Sequence, residues 1–224
     1  MIARFALCCA VAGPCALAAD DAPYRGVPFG DSAHGGGPQR IPGRVQCAYY
    51  DLGGEGIAYH TPDTRNHGSG ELNPANGTYL NEFRMNEAIG TSYTKFHDTI
   101  DNSPFDLVQP PPNLLYVGWT SPGEWFRITV NVASAGRYSV DLLYTSARGG
   151  DISLDLDERP LTPAVRVTST RSAAEPIPWR QWHHWNLMKG IAAVNLPQGT
   201  HVLTFHVLTE GNMNLAWLDF ERSD

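Results

Sequence analysis

The chain has 224 residues, a formal net charge of −7 and four cysteines. Its length suits one domain, or one domain with an ordered extension. An acidic balance makes nucleic acid and anionic lipid poor partners, because both are held by basic patches.

The N-terminus, "MIARFALCCAVAGPCALAAD", places one arginine before an apolar run and small residues at Ala16-Leu17-Ala18. That is the pattern of a secretory signal peptide over residues 1–19, and it predicts a secreted or periplasmic protein. Cys8, Cys9 and Cys15 leave with this segment and the net charge moves from −7 to −8. Cys47 is then alone, so neither an internal disulfide nor a cysteine metal cage is available, and a small apolar core residue is expected there. No other segment approaches the ~20 apolar residues of a membrane helix, so no membrane insertion is expected.

Residues 20–40 are rich in Gly, Pro and Ala and end in "HGGGPQR". They read as a flexible arm that buries too little apolar surface to order itself. The domain is placed at 41–224. Strand signals dominate it: "WFRITVNV" (125–132) alternates Phe126, Ile128, Val130 and Val132 with polar partners. "YSVDLLY", "DISLDLDERPL", "THVLTFHVLT" and "NLAWLDF" follow, punctuated by turn residues. Short strands of this kind predict an all-β sandwich or jelly roll. Residues 62–113 read as long polar loops, and loops of that size are commonly functional.

"PWRQWHHWNLM" (178–188) concentrates three of the six tryptophans in eleven residues. Core packing, a metal site on His183 and His184, and a platform for a flat ligand all compete for it. On a strand the two adjacent histidines would face opposite ways, which argues against chelation.

Four segments in order resemble the family 6 carbohydrate-binding modules: "IPGRVQCAYYDLGGEGIAYH" (41–60), "YVGWTSPGEWFRITVNVASAGRYSVDLLY" (116–144), "WRQWHHW" with "VNLPQGTHVLTF" (194–205), and "GNMNLAWLDF" (211–220). The resemblance implies a galactose-binding-like β-sandwich without catalytic machinery of its own. It also implies a site at the loop edge, where aromatic rings stack on a pyranose and an asparagine bonds its hydroxyls. A sugar ring suits such a site, with apolar C–H faces and hydrogen-bonding edges. By position, Trp119 matches the first aromatic and Asn214 the asparagine. Trp179/Trp182 and Trp182/Trp185 both have the spacing of the second aromatic pair, and the distance to Leu196 favours Trp182 as the stacking ring with Trp185 in the core. Trp179 would lie at the loop edge, and His60 or its neighbour Tyr59 falls where the family places a polar ligand residue.

The family also carries a structural calcium near its chain ends. Gln46 matches one ligand, but Ala48 and Ala216 stand where carboxylates are expected, so weak calcium binding or none is anticipated. Asp219 is expected on the opposite face from Ala216. No other cofactor is implied.

The partners implied are polysaccharide or oligosaccharide, together with separately encoded glycan-active enzymes. Two alternatives stand beside this reading. One is a polysaccharide hydrolase or lyase using loop acids among Glu55, Glu71, Glu82, Glu87, Asp98 and Asp101, since hydrolysis needs two carboxyl groups across the bond. The other is an adhesion module that uses the same sandwich without sugar. Glu124 in "PGEW" reads as structural.

Overall fold

A computed structural model describes Tyr24 and residues 26–223; the signal-peptide reading of residues 1–19 lies outside them. The principal strands are β1 Gln39–Ile41, β2 Gly43–Gln46, β3 Leu115–Val117, β4 Trp125–Val132, β5 Gly136–Ser146, β6 Gly150–Leu156, β7 Asn186–Leu196, β8 Gly199–Val207 and β9 Met213–Arg222. The first sheet runs β1-β4-β8-β6, antiparallel apart from the parallel β1–β4 pair. The second runs β7-β5-β9-β3 and continues to Thr91–Tyr93, with β2 also paired to β9. The all-β sandwich expected from the alternation is the fold observed. No helix among the described residues is long and apolar enough to cross a membrane.

The alternation in β4 works as the sequence predicts: Phe126, Ile128, Val130 and Val132 are all fully buried between the sheets. Phe126 opposes Phe205 across the β4–β8 ladder, and their rings stack at 5.1 Å with a 5° interplanar angle. Such cross-strand aromatic pairs stabilise beyond simple burial, by roughly 0.5–1.5 kcal/mol. Cys47 is buried, and desolvation pushes its thiol pKa well up, so it is an inert core residue.

Two expectations are corrected. The segment expected to be a loose arm is laid against the sandwich from residue 26 onward. Phe29 is buried, its ring stacked on Tyr49 at 5.3 Å and set edge-on to Phe83. Tyr24 Oη donates to Asp51 Oδ2, and Gln39 opens β1. Phe29, Tyr49 and Phe83, remote from one another in sequence, meet here, a convergence that composition hides. Asp219 is the second correction. A bulge at Ala216 shifts the register of β9, so Leu215 and Leu218 both face the core while Trp217 and Asp219 face outward. Asp219 pairs there with Arg44 at 3.5 Å.

The segment 62–113 is polar but well tied. Asn66 Oδ1 accepts from the backbone N–H groups of Gly68, Ser69 and Thr91, and its Nδ2 donates to Thr91 Oγ1 at 2.8 Å. One buried amide thereby does for this loop what a ladder does for a strand.

Candidate functional site

The tryptophan cluster is not a strand. Pro178 opens a 3₁₀ turn, Pro178–Arg180, as expected of a residue with fixed φ and no N–H to satisfy. His183 N then donates back to Arg180 O. The turn, rather than strand alternation, separates the three indoles. Trp185 is fully buried, its Nε1 donating to Asp101 Oδ1 at 2.9 Å and its ring edge-on to Tyr116. Trp182 and Trp179 stay with the turn, and Trp179 is 54% exposed.

Trp185 and Arg180 hold the turn against the long loop. Leu107 N and Val108 N donate to Trp185 O, and Trp185 N donates to Asp106 Oδ1. Arg180 reaches Thr99 O and Oγ1 with one nitrogen and Glu175 Oε1 with the other, at 2.8 Å for the last two. That hydrogen bond, more than any other influence, holds the Glu175 carboxyl below its ordinary pKa.

Between the turn, the loop and the outer face of the second sheet lies a cleft of about 600 Å³. Trp119, Trp179, Trp182 and Asn214 all line it. So do His183, Tyr116 and Asn212, and the long loop adds Leu72, Asn73, Lys95, His97 and Ile100. The last group was not singled out as ligand-facing from sequence. His97 was legible only as a neighbour of Asp98, and nothing in the spacing marks Lys95.

Trp119 is seated by its backbone and by two glycines. It has φ +54°, an uncommon conformation for a bulky residue and one that concentrates at sites where the surroundings impose it. Its ring passes so near Gly68 and Gly90 that a Cβ would meet it at 2.6 and 3.2 Å respectively. Asn214 is 2% exposed, and its Nδ2 is buried without a hydrogen-bond partner. A buried amide donor left open costs roughly 1–3 kcal/mol, so it points to a partner that arrives with a ligand.

His183 sits between Trp179, which it meets edge-on at 5.7 Å, and Trp182, at 4.2 Å. Burial above all, then the neighbouring His184 and Lys95 charges, push its pKa down to about 4. His184 is buried elsewhere, its Nδ1 3.0 Å from Thr170 O. The described residues contain no cluster of histidine and carboxylate able to hold a metal.

Tyr59 and His60 lie away from this cleft. Both pair with β4, at Phe126 and Trp125. Tyr59 is a core residue whose hydroxyl accepts from Ala88 N at 3.0 Å, and His60 is paired with Glu55 on the surface. Trp119 and Asn212 also border a second, polar groove of about 510 Å³ with Asp63, His67, Arg148 and Glu210. The ion groups there are partly satisfied already: Arg148 pairs with Glu210 at 2.6 Å, and His67 lies 3.7 Å from Asp63.

An antiparallel sandwich whose edge carries indole faces and an open amide donor defines a sugar-binding class of protein. The family model for carbohydrate binding module (family 6) matches residues 107–222, just over half of the chain, and the chain belongs to this family. Among solved structures it is similar to a glycoside hydrolase family 43 arabinoxylan arabinofuranohydrolase from Bacillus subtilis in complex with cellotetraose, at 14% identity and TM-score 0.51, covering 88% of this chain and 33% of that one. This chain thus spans a third of that protein's length. CsCBM6-3 from Clostridium stercorarium in complex with cellobiose matches at 12% identity and TM-score 0.49, covering 84% and 98%. A beta-1,3-glucan binding CBM6 from Bacillus halodurans matches at 16% identity and TM-score 0.49, covering 84% and 100%. No curated protein sequence matches the chain.

Proposed function

We propose that this module binds a polysaccharide without cleaving it, by stacking a pyranose between Trp119 and Trp182 while Asn214 Nδ2 donates to a sugar hydroxyl. The observation that carries this is the open donor on Asn214 beside indole faces in one cleft. Trp179, more exposed, serves as an outer contact. The described lining includes no carboxylate, which supports binding over hydrolysis, since hydrolysis needs two acids across one bond. Of the loop acids, Asp101 is committed to Trp185 Nε1 and Lys95 N, and Glu87 to Tyr50 and Arg84.

A single stacked ring with a few hydrogen bonds that compete with water gives affinity of roughly micromolar to millimolar. The signal-like leader supports export, and separately encoded glycan-active enzymes are the natural partners of such a module. The test is affinity electrophoresis of residues 20–224 through gels holding xylan, β-glucans, agar, galactan or pectin, beside Trp119→Ala and Trp182→Ala. Retardation lost in both variants supports the reading. Retardation that survives both places the site elsewhere.

The family's structural calcium does not fit the residues present. Ala48 packs with Phe29, Phe83 and Leu115, and Ala216 with Tyr116, Leu143, Trp185 and Trp217. Calcium requires several oxygen ligands, and these two positions offer hydrocarbon.

A further inference from the structure

The described lining of the cleft carries basic nitrogens and no carboxylate. His183 contributes no charge near neutral pH, for the reasons given above. Lys95 does. An ammonium has three donors, and Lys95 Nζ uses them on a single long contact, 3.3 Å to Ser92 Oγ, with the Tyr93 ring 4.3 Å away. The neighbouring acid, Asp101, is buried and spends its oxygens on Lys95 N and Trp185 Nε1 at 2.8 and 2.9 Å. Desolvation lowers the Lys95 pKa more than the Asp101 field raises it, so this cation is under-compensated where it stands.

Lys95 and His97 both lie outside residues 107–222, in the long loop segment 62–113. The net charge of −7 opposes an anionic polymer at long range. That field fades over about 8 Å at physiological ionic strength, whereas Lys95 is on the cleft wall itself.

We propose that the cleft selects a saccharide carrying an anionic oxygen group, a uronate carboxylate or a sulfate ester, which Lys95 Nζ pairs while the sugar ring stacks on an indole. This rests on the sugar-binding reading above. Bringing a charged oxygen to a half-buried, under-bonded ammonium replaces a weak contact with a charge-assisted hydrogen bond. Neutral sugars offer no equivalent gain.

The test uses isothermal titration calorimetry on residues 20–224 with matched pairs of glycans. One pair is polygalacturonate and its methyl ester, a second glucuronoxylan and its carboxyl-reduced form, a third κ-carrageenan and its desulfated form; neutral β-glucan is added. At least one charged member is expected to bind about tenfold or more tightly than its neutral twin. Lys95→Gln should remove that preference, and Lys95→Arg should restore it, with near-UV circular dichroism confirming that each variant is folded. Preference within the first two pairs identifies a carboxylate, and within the third a sulfate. Equal binding of charged and neutral twins, or a preference that persists in Lys95→Gln, overturns the inference. Binding of neutral glycans alone overturns it and leaves sugar binding standing, whereas binding of none overturns both.

Discussion

The ring of Trp119 rests on the backbone at Gly68, where a Cβ would lie 2.6 Å from Cζ3 and 2.0 Å from Thr91 O. Neither neighbour can yield easily, since one is a ring held by a left-handed backbone and the other a backbone carbonyl. Gly68→Ala is therefore expected to displace the indole, weaken glycan binding about tenfold or more, and cost roughly 1–3 kcal/mol of stability. Titration against a bound polysaccharide and a thermal melt check the two effects separately. Unchanged affinity would mean that the seat of Trp119 does not matter to the ligand.

Asn214 gives the opposite combination. Its Nδ2 is buried and unpaired in the free protein, so Asn214→Ala removes an unsatisfied donor along with the side chain. Stability should stay within about 1 kcal/mol of the parent or rise, while affinity falls about tenfold. A large loss of stability with unchanged binding would make Asn214 a structural residue.

Glu124 makes stability depend on pH. It is buried, Thr61 Oγ1 donates to its Oε2 at 2.8 Å, and Oε1 has no partner. Desolvation is the main cause that raises its pKa to about 8, from an ordinary 4.5. The folded state therefore holds this proton more tightly than the unfolded one. The stabilisation is complete below about pH 4.5 and is lost as pH rises through 8. Over that interval the loss is on the order of 5 kcal/mol, or a fall of about 10–20 °C in Tm from this group. Glu124→Gln keeps an acceptor for Thr61 and should flatten the profile, which melts at pH 5 and pH 9 would show.

Phe29 ties the N-terminal segment to the sandwich through Tyr49 and Phe83, with the Arg84 guanidinium 5.1 Å from its ring centre. It does not line the cleft. Phe29→Ala should cost roughly 2–3 kcal/mol, somewhat less than a central core phenylalanine, and leave glycan affinity unchanged. A melt with no shift would restore the reading of residues 20–40 as a loose arm.

The hydrocarbon around Ala48 and Ala216 predicts that calcium contributes nothing to stability. Tm in a millimolar calcium buffer and in EDTA should agree within about 1 °C. A clear rise with calcium would reveal ligands elsewhere in the chain, because a bound ion stabilises the state that binds it.

Much of the fold could be read directly. The alternation of Phe126, Ile128, Val130 and Val132, and of Ile152, Leu154 and Leu156, marks half-buried strands because side chains on a strand alternate by geometry alone. Trp119, Trp182, Trp179 and Asn214 could be picked out by their place in the family's motifs, and they meet in one cleft. Tyr59 and His60 carry the same kind of positional match, yet neither lines the cleft. Their positions relative to the cleft depend on how a two-residue strand pairs with β4, and pairing is a long-range fact.

What the sequence by itself determined is the local grammar: where strands run, which faces are apolar, and which aromatic residues are supernumerary to the core. What only the tertiary structure decided is convergence. The bulge at Ala216 turns Trp217 and Asp219 outward, and Asn66 braces a polar loop by gathering three backbone N–H groups. Lys95 reaches the cleft because Asp101 of the same loop is fixed to Trp185, far along the chain. Each depends on contacts between residues remote in sequence, whose geometry is set by packing and by the need to pair buried polar groups. No window of neighbouring residues contains that information.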